Sequence, residues 1–257
     1  MQNPPRVNIL GVGVSAINMN LALDLINTWI TNKEYSYVCV MGVHGVMESQ
    51  RDKSLRLIHN QAKMVTPDGM PLVWLSRLYG NNQVDRVYGP DLLLETCRLS
   101  VSHGWSHFFY GGSNGVADLL ANRLTHKIPG LKVAATYAPP FRRLSSAEDD
   151  AVVDQINQSG ADIVWVGLGA PKQEFWMAEH LGKINAPVMI GVGAAFDFHA
   201  GLKPQAPRWM QRAGLEWLFR LATEPRRLWK RYLINNPLFL LLVFLQWTGL
   251  KKFPLDE

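Results

Sequence analysis

Apolar residues along this chain recur in two rhythms. Short runs at Val7–Leu10, Tyr37–Met41, Met64–Val65, His107–Tyr110, Lys132–Thr136, Ile163–Val166 and Val188–Ile190 have the length and composition of buried strands. Between most of them the spacing becomes helical. Leu21, Leu25, Trp29 and Ile30 share one helix face, and Val116, Leu119, Leu120 and Leu124 share another. Strands alternating with helices predict an α/β fold, a Rossmann-like, largely parallel sheet with helices on both faces. Ser145 with Glu148 three residues on forms a capping box, so the acidic run Glu148–Asp150 starts a helix rather than holding a metal.

This rhythm breaks at Gly201–Ala206, which divides the chain into a 1–202 core and a 203–257 appendage. In the appendage Trp209, Leu215, Trp217, Leu218 and Leu221 mix with Arg208, Arg212 and Arg220, and Pro225 interrupts before a second basic helix. Arg227 and Arg231 lie one helical turn apart and share a face. The eight apolar residues after Pro237 fall far short of the ~20 needed to span a bilayer. The expectation is a basic, amphipathic helical element lying in a membrane interface, with arginines at phosphates and Trp and Leu in the acyl boundary. The alternative is a helical hairpin packed on the core, or a homo-oligomer contact.

Charge sharpens that division. The chain carries a net +5, yet the residues from 203 onward hold ten basic and four acidic side chains, while the first 202 hold 16 and 17. All of the positive excess belongs to the appendage. A 47% hydrophobic content over 257 residues suffices for a sizeable core. Cys39 and Cys97 lack metal-ligand spacing and suggest no disulfide scaffold, and MQNPPRVNIL does not read as a signal peptide, so a cytoplasmic setting is expected.

Candidate chemistry concentrates where apolar runs meet glycine turns. ADIVWVGLGAPKQEFW runs from the apolar Ile163–Val166 through Gly167 and Gly169 to Pro171, leaving Lys172, Gln173 and Glu174 near the free N–H groups of a helix start. PVMIGVGAAFDFHAG repeats the device with Gly191, Gly193, Asp197 and Gly201. Two such junctions at neighbouring strand ends would share a crevice. Gly111, Gly112, Ser113, Asn114 and Gly115 open a third, suited to a diphosphate or ribose contact or to a plain glycine-rich loop.

The blocks GLGAPKQE, GVGAAFDFHAG, APRWMQRAGLEWLFRLATEPRR, VTPDGMPLVW and RVYGPDL resemble the WecG/TagA/CpsF family of bacterial glycosyltransferases, in order and in spacing, over nearly the whole chain. The resemblance implies an inverting transfer of a sugar from a UDP-sugar donor to a sugar on a polyprenyl (undecaprenyl) pyrophosphate, in exopolysaccharide or other surface polysaccharide assembly. It implies a peripheral enzyme on the inner face of the cell membrane, with the 1–202 core binding the nucleotide sugar. Asp68 is similar to the acidic residue the family uses as base, although Pro67-Asp68-Gly69 is also ordinary turn chemistry. An exposed Asp titrates near ~4 and would need burial to serve well. Arg86, with Tyr88, Gly89 and Asp91 beside it, would contact donor or acceptor, and Asp91 is placed to cap the helix after Pro90. Gln173 resembles a substrate-binding residue, and Lys172 could neutralise the leaving diphosphate. Gly111, Gly112, Gly193 and Asp197 complete the substrate set, His199 reads as a buried structural histidine, and Arg220, Arg227 and Arg231 would meet the lipid pyrophosphate. No Asp-x-Asp element follows a strand, so no metal and no cofactor is expected, and leaving-group stabilisation falls to Arg, Lys and N–H dipoles.

The chain departs from the family at VCVMGVHGVMESQRD. Val40 and Gly42 occupy positions where the family usually has Thr and Asn, and His44 stands near the usual Glu. Glucose is therefore open as the donor sugar beside N-acetylmannosamine and N-acetylmannosaminuronate, and His44 is open as a partner of Asp68 in base catalysis. Two other function classes compete. GVGVSA at Gly11–Ala16 matches a dinucleotide fingerprint of an NAD-dependent oxidoreductase, but no acid ends the next strand and Glu34 precedes it. A noncatalytic basic membrane- or nucleic-acid-binding module fits a pI of about 9.2, yet charge interleaved with Trp, Leu and Phe favours membrane phosphates over nucleic acid.

Overall fold

A computed structural model describes residues 4–255. Strands β1 (Arg6–Ile9) and β2 (Val12–Ser15) precede helix α1 (Met19–Thr31) and strand β3 (Ser36–Met41). Helices α2 (Val43–Arg51) and α3 (Lys53–Gln61) lead to β4 (Met64–Pro67), and α4 (Met70–Leu78) and α5 (Gly89–His103) lead to β5 (Ser106–Gly111). There follow α6 (Val116–Lys127), β6 (Lys132–Tyr137), α7 (Ser146–Ser159), β7 (Ile163–Gly167), α8 (Lys172–His180), β8 (Val188–Gly191) and α9 (Ala195–His199). Next come α10 (Arg208–Arg212), α11 (Glu216–Thr223) and α12 (Pro225–Trp247). The α/β expectation holds, with a parallel sheet flanked by helices.

The chain forms two compact units. The first comprises Met19–Cys39 and Gly89–Pro204, and the second residues 4–18, Val40–Tyr88 and residues 205–255. The expected division after residue 202 has a near counterpart at Pro204/Gln205. The residues beyond it, however, cluster with Val40–Tyr88 and the N-terminal segment rather than standing apart as an appendage.

In the first unit four parallel pairings order the strands β3-β8-β7-β5-β6. From β5 the chain passes to β6 on one side and then returns to β7 on the other, which makes the carboxyl ends of β5 and β7 a topological switch point. Gly111 and Gly167 face each other there. A Cβ on Gly111 would meet the Gly167 backbone at 2.6 Å, and one on Gly167 would meet the Phe196 ring at 2.6 Å, so only glycine lets these strand ends close up. Trp165, Phe108, Phe109 and Phe196 fill the core beneath. Helix α7 starts at the Ser145–Glu148 capping box the sequence announces.

The core also holds a polar chain. Trp165 Nε1 donates to His107 Nδ1 at 3.0 Å, so the His107 proton sits on Nε2, 2.8 Å from Ser100 Oγ, and Ser100 donates onward to the Cys97 carbonyl. Burial drives the His107 pKa down to about 4, which keeps the ring neutral.

The second unit opens on a hairpin. β1 pairs antiparallel with β2, Ile9 opposite Val12, across a two-residue turn in which Leu10 has φ 53° and Gly11 φ 79°. Both signs suit the mirror-image turn that matches strand twist. The sequence anticipates a single strand at Val7–Leu10 followed by a phosphate loop. Instead, Val12–Ser15 of GVGVSA is the returning strand and no helix begins at Gly11, so the dinucleotide reading loses its geometry. Beyond the hairpin, Ser15 Oγ accepts from Val65 N at 3.0 Å and Met41 O accepts from Asp68 N at 2.9 Å, which fixes the end of β4.

Helix α12 runs unbroken for 23 residues with Pro225 in its first turn and Pro237 inside it. Leu228, Tyr232, Asn235 and Phe239, spaced four, three and four, are its buried face. Beyond it the chain is tied to the hairpin. Leu10 N donates to Gln246 Oε1 at 2.9 Å, Gln246 Nε2 donates to Asn8 O at 3.1 Å, and Asn8 Nδ2 donates to Phe253 O at 2.7 Å. Length and composition make α12 sufficient to cross a membrane, contrary to the short apolar run read from sequence, because that run is continuous with the preceding helix. One face nevertheless packs on the protein, while Leu240, Leu241, Phe244 and Trp247 are exposed.

Candidate active site

Within the second unit a cavity of about 280 Å³ is lined by Gly42, His44, Asp68, Gly69, Trp74, Arg86, Glu216, Trp217, Arg220, Arg231 and Tyr232, among others. Asp68 reaches it because β4 ends at Pro67 and Gly69 caps α4, leaving Asp68 in the junction. A Cβ on Gly42 would stand 3.8 Å from Asp68 Oδ2. The space where the family usually places a side chain therefore adjoins the carboxylate.

Arg86 braces this junction. Its Nε donates to the Asp68 carbonyl, one terminal nitrogen pairs with Glu216 Oε2, and the other reaches Gln211 Oε1 at 3.4 Å. Tyr88 donates to Glu216 Oε1 at 3.1 Å, and the Arg86 guanidinium stands 4.0 Å over its ring. Burial alone would lower the Arg86 pKa, but the carboxylates of Asp68 and Glu216 outweigh it and raise the value. Tyr88 is pushed up, by burial first and then by Glu216 and Asp68, so it stays a neutral donor. The sequence expects Arg86 and Tyr88 to contact substrate. In this arrangement Arg86 lines the cavity and also ties the Asp68 carbonyl to Glu216 of α11, while Tyr88 binds Glu216.

Arg231 is nearly buried, and burial followed by the charges of Arg220 and Arg227 lowers its pKa, opposed by Tyr232 and Asp68. Its Nε has no hydrogen-bond partner. Guanidinium groups that repel one another in a partly dry cavity form a site for an anion. Arg227 is not part of the lining, since it is half exposed and pairs with Glu224 at 2.6 Å. His44 accepts from Asn235 Nδ2 at 3.4 Å, and Asn235 Oδ1 accepts from Arg51 at 2.6 Å. Burial, then Arg231, Arg51 and Arg220, lower the His44 pKa to about 3. So weak a base is poorly matched to proton abstraction near neutral pH.

The first unit presents the glycine junctions. Gln173 and Glu174, in the first turn of α8, are both buried, and Gln173 Nε2 donates to Glu174 Oε1 at 3.0 Å. Lys172 Nζ lies 5.1 Å from the ring of the fully exposed Phe141. Gly111 ends β5 and Gly112 follows it, and Gly193 follows β8. Asp197 pairs with Lys203 at 2.7 Å. Helix α5 begins at Gly89, so Asp91 sits inside its first turn, where it favours the helix dipole, rather than at the expected cap. His199 Nε2 donates to Pro90 O at 2.7 Å, and burial lowers its pKa, as a structural histidine requires.

Residues 7–253 match the Glycosyl transferase WecG/TagA/CpsF family. The chain belongs to this family. It is a glycosyltransferase, and its relatives are consistent in name. A protein of Bacillus subtilis strain 168 is 29% identical over 203 residues, 79% of this chain and 77% of that one. One of Staphylococcus aureus strain NCTC 8325 is 27% identical over 243 residues, 93% and 92% of the two chains. One of Bacillus spizizenii is 28% identical over 206 residues, 80% and 78%. Each is named N-acetylglucosaminyldiphosphoundecaprenol N-acetyl-beta-D-mannosaminyltransferase.

Glu216, Gln211 and Trp217 escape a reading by motif. Glu216 lies in the arginine-rich GLEWLFR stretch, where it looks like one acid diluting a basic helix, and its pairing with Arg86 spans 130 residues. Its only local signal is its place in the first turn of α11.

Proposed function

We propose that this enzyme transfers an N-acetylmannosamine-type residue from a UDP-sugar to a polyprenyl diphosphate-linked N-acetylglucosamine, with inversion, in surface polysaccharide assembly. The observation that carries the reading is Asp68 sharing one cavity with Arg220 and Arg231. Asp68 takes the proton of the acceptor hydroxyl as that oxygen bonds to the anomeric carbon, and the bond to the UDP diphosphate breaks with its electrons. Arg231 and Arg220 supply positive charge for a diphosphate, and the glycine junctions of the first unit are of the kind that bind a nucleotide. The donor and acceptor classes rest on family resemblance and on the names of the relatives.

Release of UDP from UDP-N-acetylmannosamine, UDP-N-acetylmannosaminuronate and UDP-glucose, each with a lipid-linked acceptor, tests this for wild type and Asp68→Asn. Turnover with the first donor, lost in the variant, supports the reading. Turnover only with UDP-glucose favours the second reading, for which the open space at Gly42 beside Asp68 speaks. No turnover with any donor on reconstituted membranes sinks both.

For location, the proposal is the inner face of the cell membrane. Support comes from the exposed Leu240, Leu241, Phe244 and Trp247, flanked by exposed Lys230, Lys251 and Lys252. Co-sedimentation with anionic vesicles, abolished by Leu240→Glu with Leu241→Glu, is expected. A soluble dimer that the same changes dissociate would instead make this face a homo-oligomer contact.

A further inference from the structure

Buried polar atoms without partners are uncommon, and a cluster of them in a working protein calls for an explanation. At the carboxyl end of β8 there is such a cluster. Gln173 and Glu174 are 3% and 2% exposed, yet Gln173 Oε1 and Glu174 Oε2 have no hydrogen-bond partner among the described residues. The Gln173 amide lies directly over the glycines that end β8. A Cβ on Gly191 would stand 3.0 Å from Gln173 Nε2, and one on Gly193 would stand 3.3 Å from Gln173 Oε1. Two bare glycines thus make room for one amide group.

The orientation of that amide is set by its neighbour. A side-chain amide can present either its donor or its acceptor to a cleft, and rotation by half a turn exchanges them. Here Glu174 Oε1 accepts from Nε2 at 3.0 Å. The hydrogen bond commits the nitrogen to the protein and leaves Oε1 beside Gly193. An ionised Glu174 can only accept, so in that state it favours this rotamer.

We propose that Glu174 is a positioning residue for the donor nucleotide: it locks the Gln173 amide so that Oε1 receives an N–H or O–H of the nucleotide sugar. The ligand group is a donor of the kind found on an imide-bearing base or a ribose. Glu174 itself touches no substrate. The inference rests on the proposed UDP-sugar reading and adds to it the chemical polarity of one subsite. It also explains why a carboxylate is kept in a place where burial raises its pKa to about 7: a neutral apolar residue would pack there at less cost but would leave the amide free to turn.

The test uses the full chain and two variants, Glu174→Gln and Glu174→Met, with UDP binding by calorimetry and donor kinetics at saturating acceptor. The carboxamide of Glu174→Gln keeps an acceptor for Gln173 Nε2, so UDP affinity and donor KM stay within about threefold of wild type. Glu174→Met fills similar volume without an acceptor, and both donor KM and the UDP dissociation constant rise about tenfold while kcat changes little. Equal losses in both variants, or a melting-temperature drop in Glu174→Met with KM and UDP affinity intact, would overturn the positioning role. Wild-type protein that binds no UDP at all would instead overturn the donor reading beneath it, so the two failures are separable.

Discussion

The two units of this enzyme solve opposite problems. The first puts glycine, backbone and one neutral amide at the ends of parallel strands, so its site is built by leaving side chains out. The second crowds Asp68, Arg86, Glu216, Arg220 and Arg231 around a cavity, so its site is built by packing charges in. Absent side chains give shape and backbone donors at little electrostatic cost, and suit a ligand that must bind and leave. Opposed charges are costly to bury and suit the step in which charge moves. Binding should therefore be the property the first unit controls, and chemistry the property the second controls.

Asp68→Asn puts the greatest strain on that division. It should lower kcat about 10²- to 10⁴-fold, the usual worth of a positioned general base, with UDP affinity unchanged by calorimetry. If UDP affinity fell in step with kcat, Asp68 would serve donor binding rather than proton transfer and the contrast would be lost. Arg86→Ala comes next. It leaves Glu216 without its guanidinium partner, and breaking a partly buried pair costs less than the about 3–5 kcal/mol of a fully buried one, read as a shift of the urea midpoint. Arg86→Met with Glu216→Leu should recover most of that stability without recovering activity, because Asp68 loses its brace either way.

Both units also bury neutral histidines, which makes them alike in acid. Burial lowers His59 in the second unit and His107 in the first to about 4 each, and His44 to about 3. Their folded values lie below the unfolded value of about 6.5, so the unfolded chain binds more protons and stability is lost as pH falls from 6.5 toward 4. Each contributes on the order of 3 kcal/mol over the full window. Glu174 acts with the opposite sign. Its raised pKa means stability present below about 4.5 is lost as pH climbs through 7. Urea midpoints measured from pH 7.5 to 5 should therefore fall on acidification, less steeply for His59→Gln, and more steeply for Glu174→Gln, which removes the opposing group.

How much of this could be read in advance depends on how far apart in the chain the partners lie. The αβ alternation, the Ser145 cap and the glycine junctions are local patterns, and each appears where the spacing puts it. The VTPDG motif singled out Asp68, which lines the cavity. The hairpin was not legible, because Val12–Ser15 beside Val7–Leu10 imitates a strand followed by a phosphate loop, and only the φ signs of Leu10 and Gly11 separate the two. Nor were the contacts of Arg86 with Gln211 and Glu216, which lie 125 and 130 residues away. Helix α12 was misjudged in length for a related reason. Pro237 reads as a break, but its burden on a helix is a missing donor and a local clash, which packing of Leu228, Tyr232 and Phe239 on one face can offset.

The smallest expected effect probes the first unit by adding a single carbon. Gly191→Ala would bring a Cβ to 2.8 Å from Met177 Cε and 3.0 Å from Gln173 Nε2. The methyl end of Met177 is flexible and can yield. The Gln173 amide cannot yield as freely, because Glu174 holds its nitrogen and the oxygen lies against Gly193. The amide must shift by a few tenths of an ångström, which spoils a hydrogen bond to the ligand but reaches nothing in the second unit's chemistry. Donor KM should rise about tenfold, a loss of about 1.4 kcal/mol, with kcat within a factor of two. Steady-state kinetics at saturating acceptor reads the split. A fall in kcat with KM unchanged would mean that Gly191 matters to the transition state rather than to binding, and the assignment of shape to one unit and charge to the other would have to be given up.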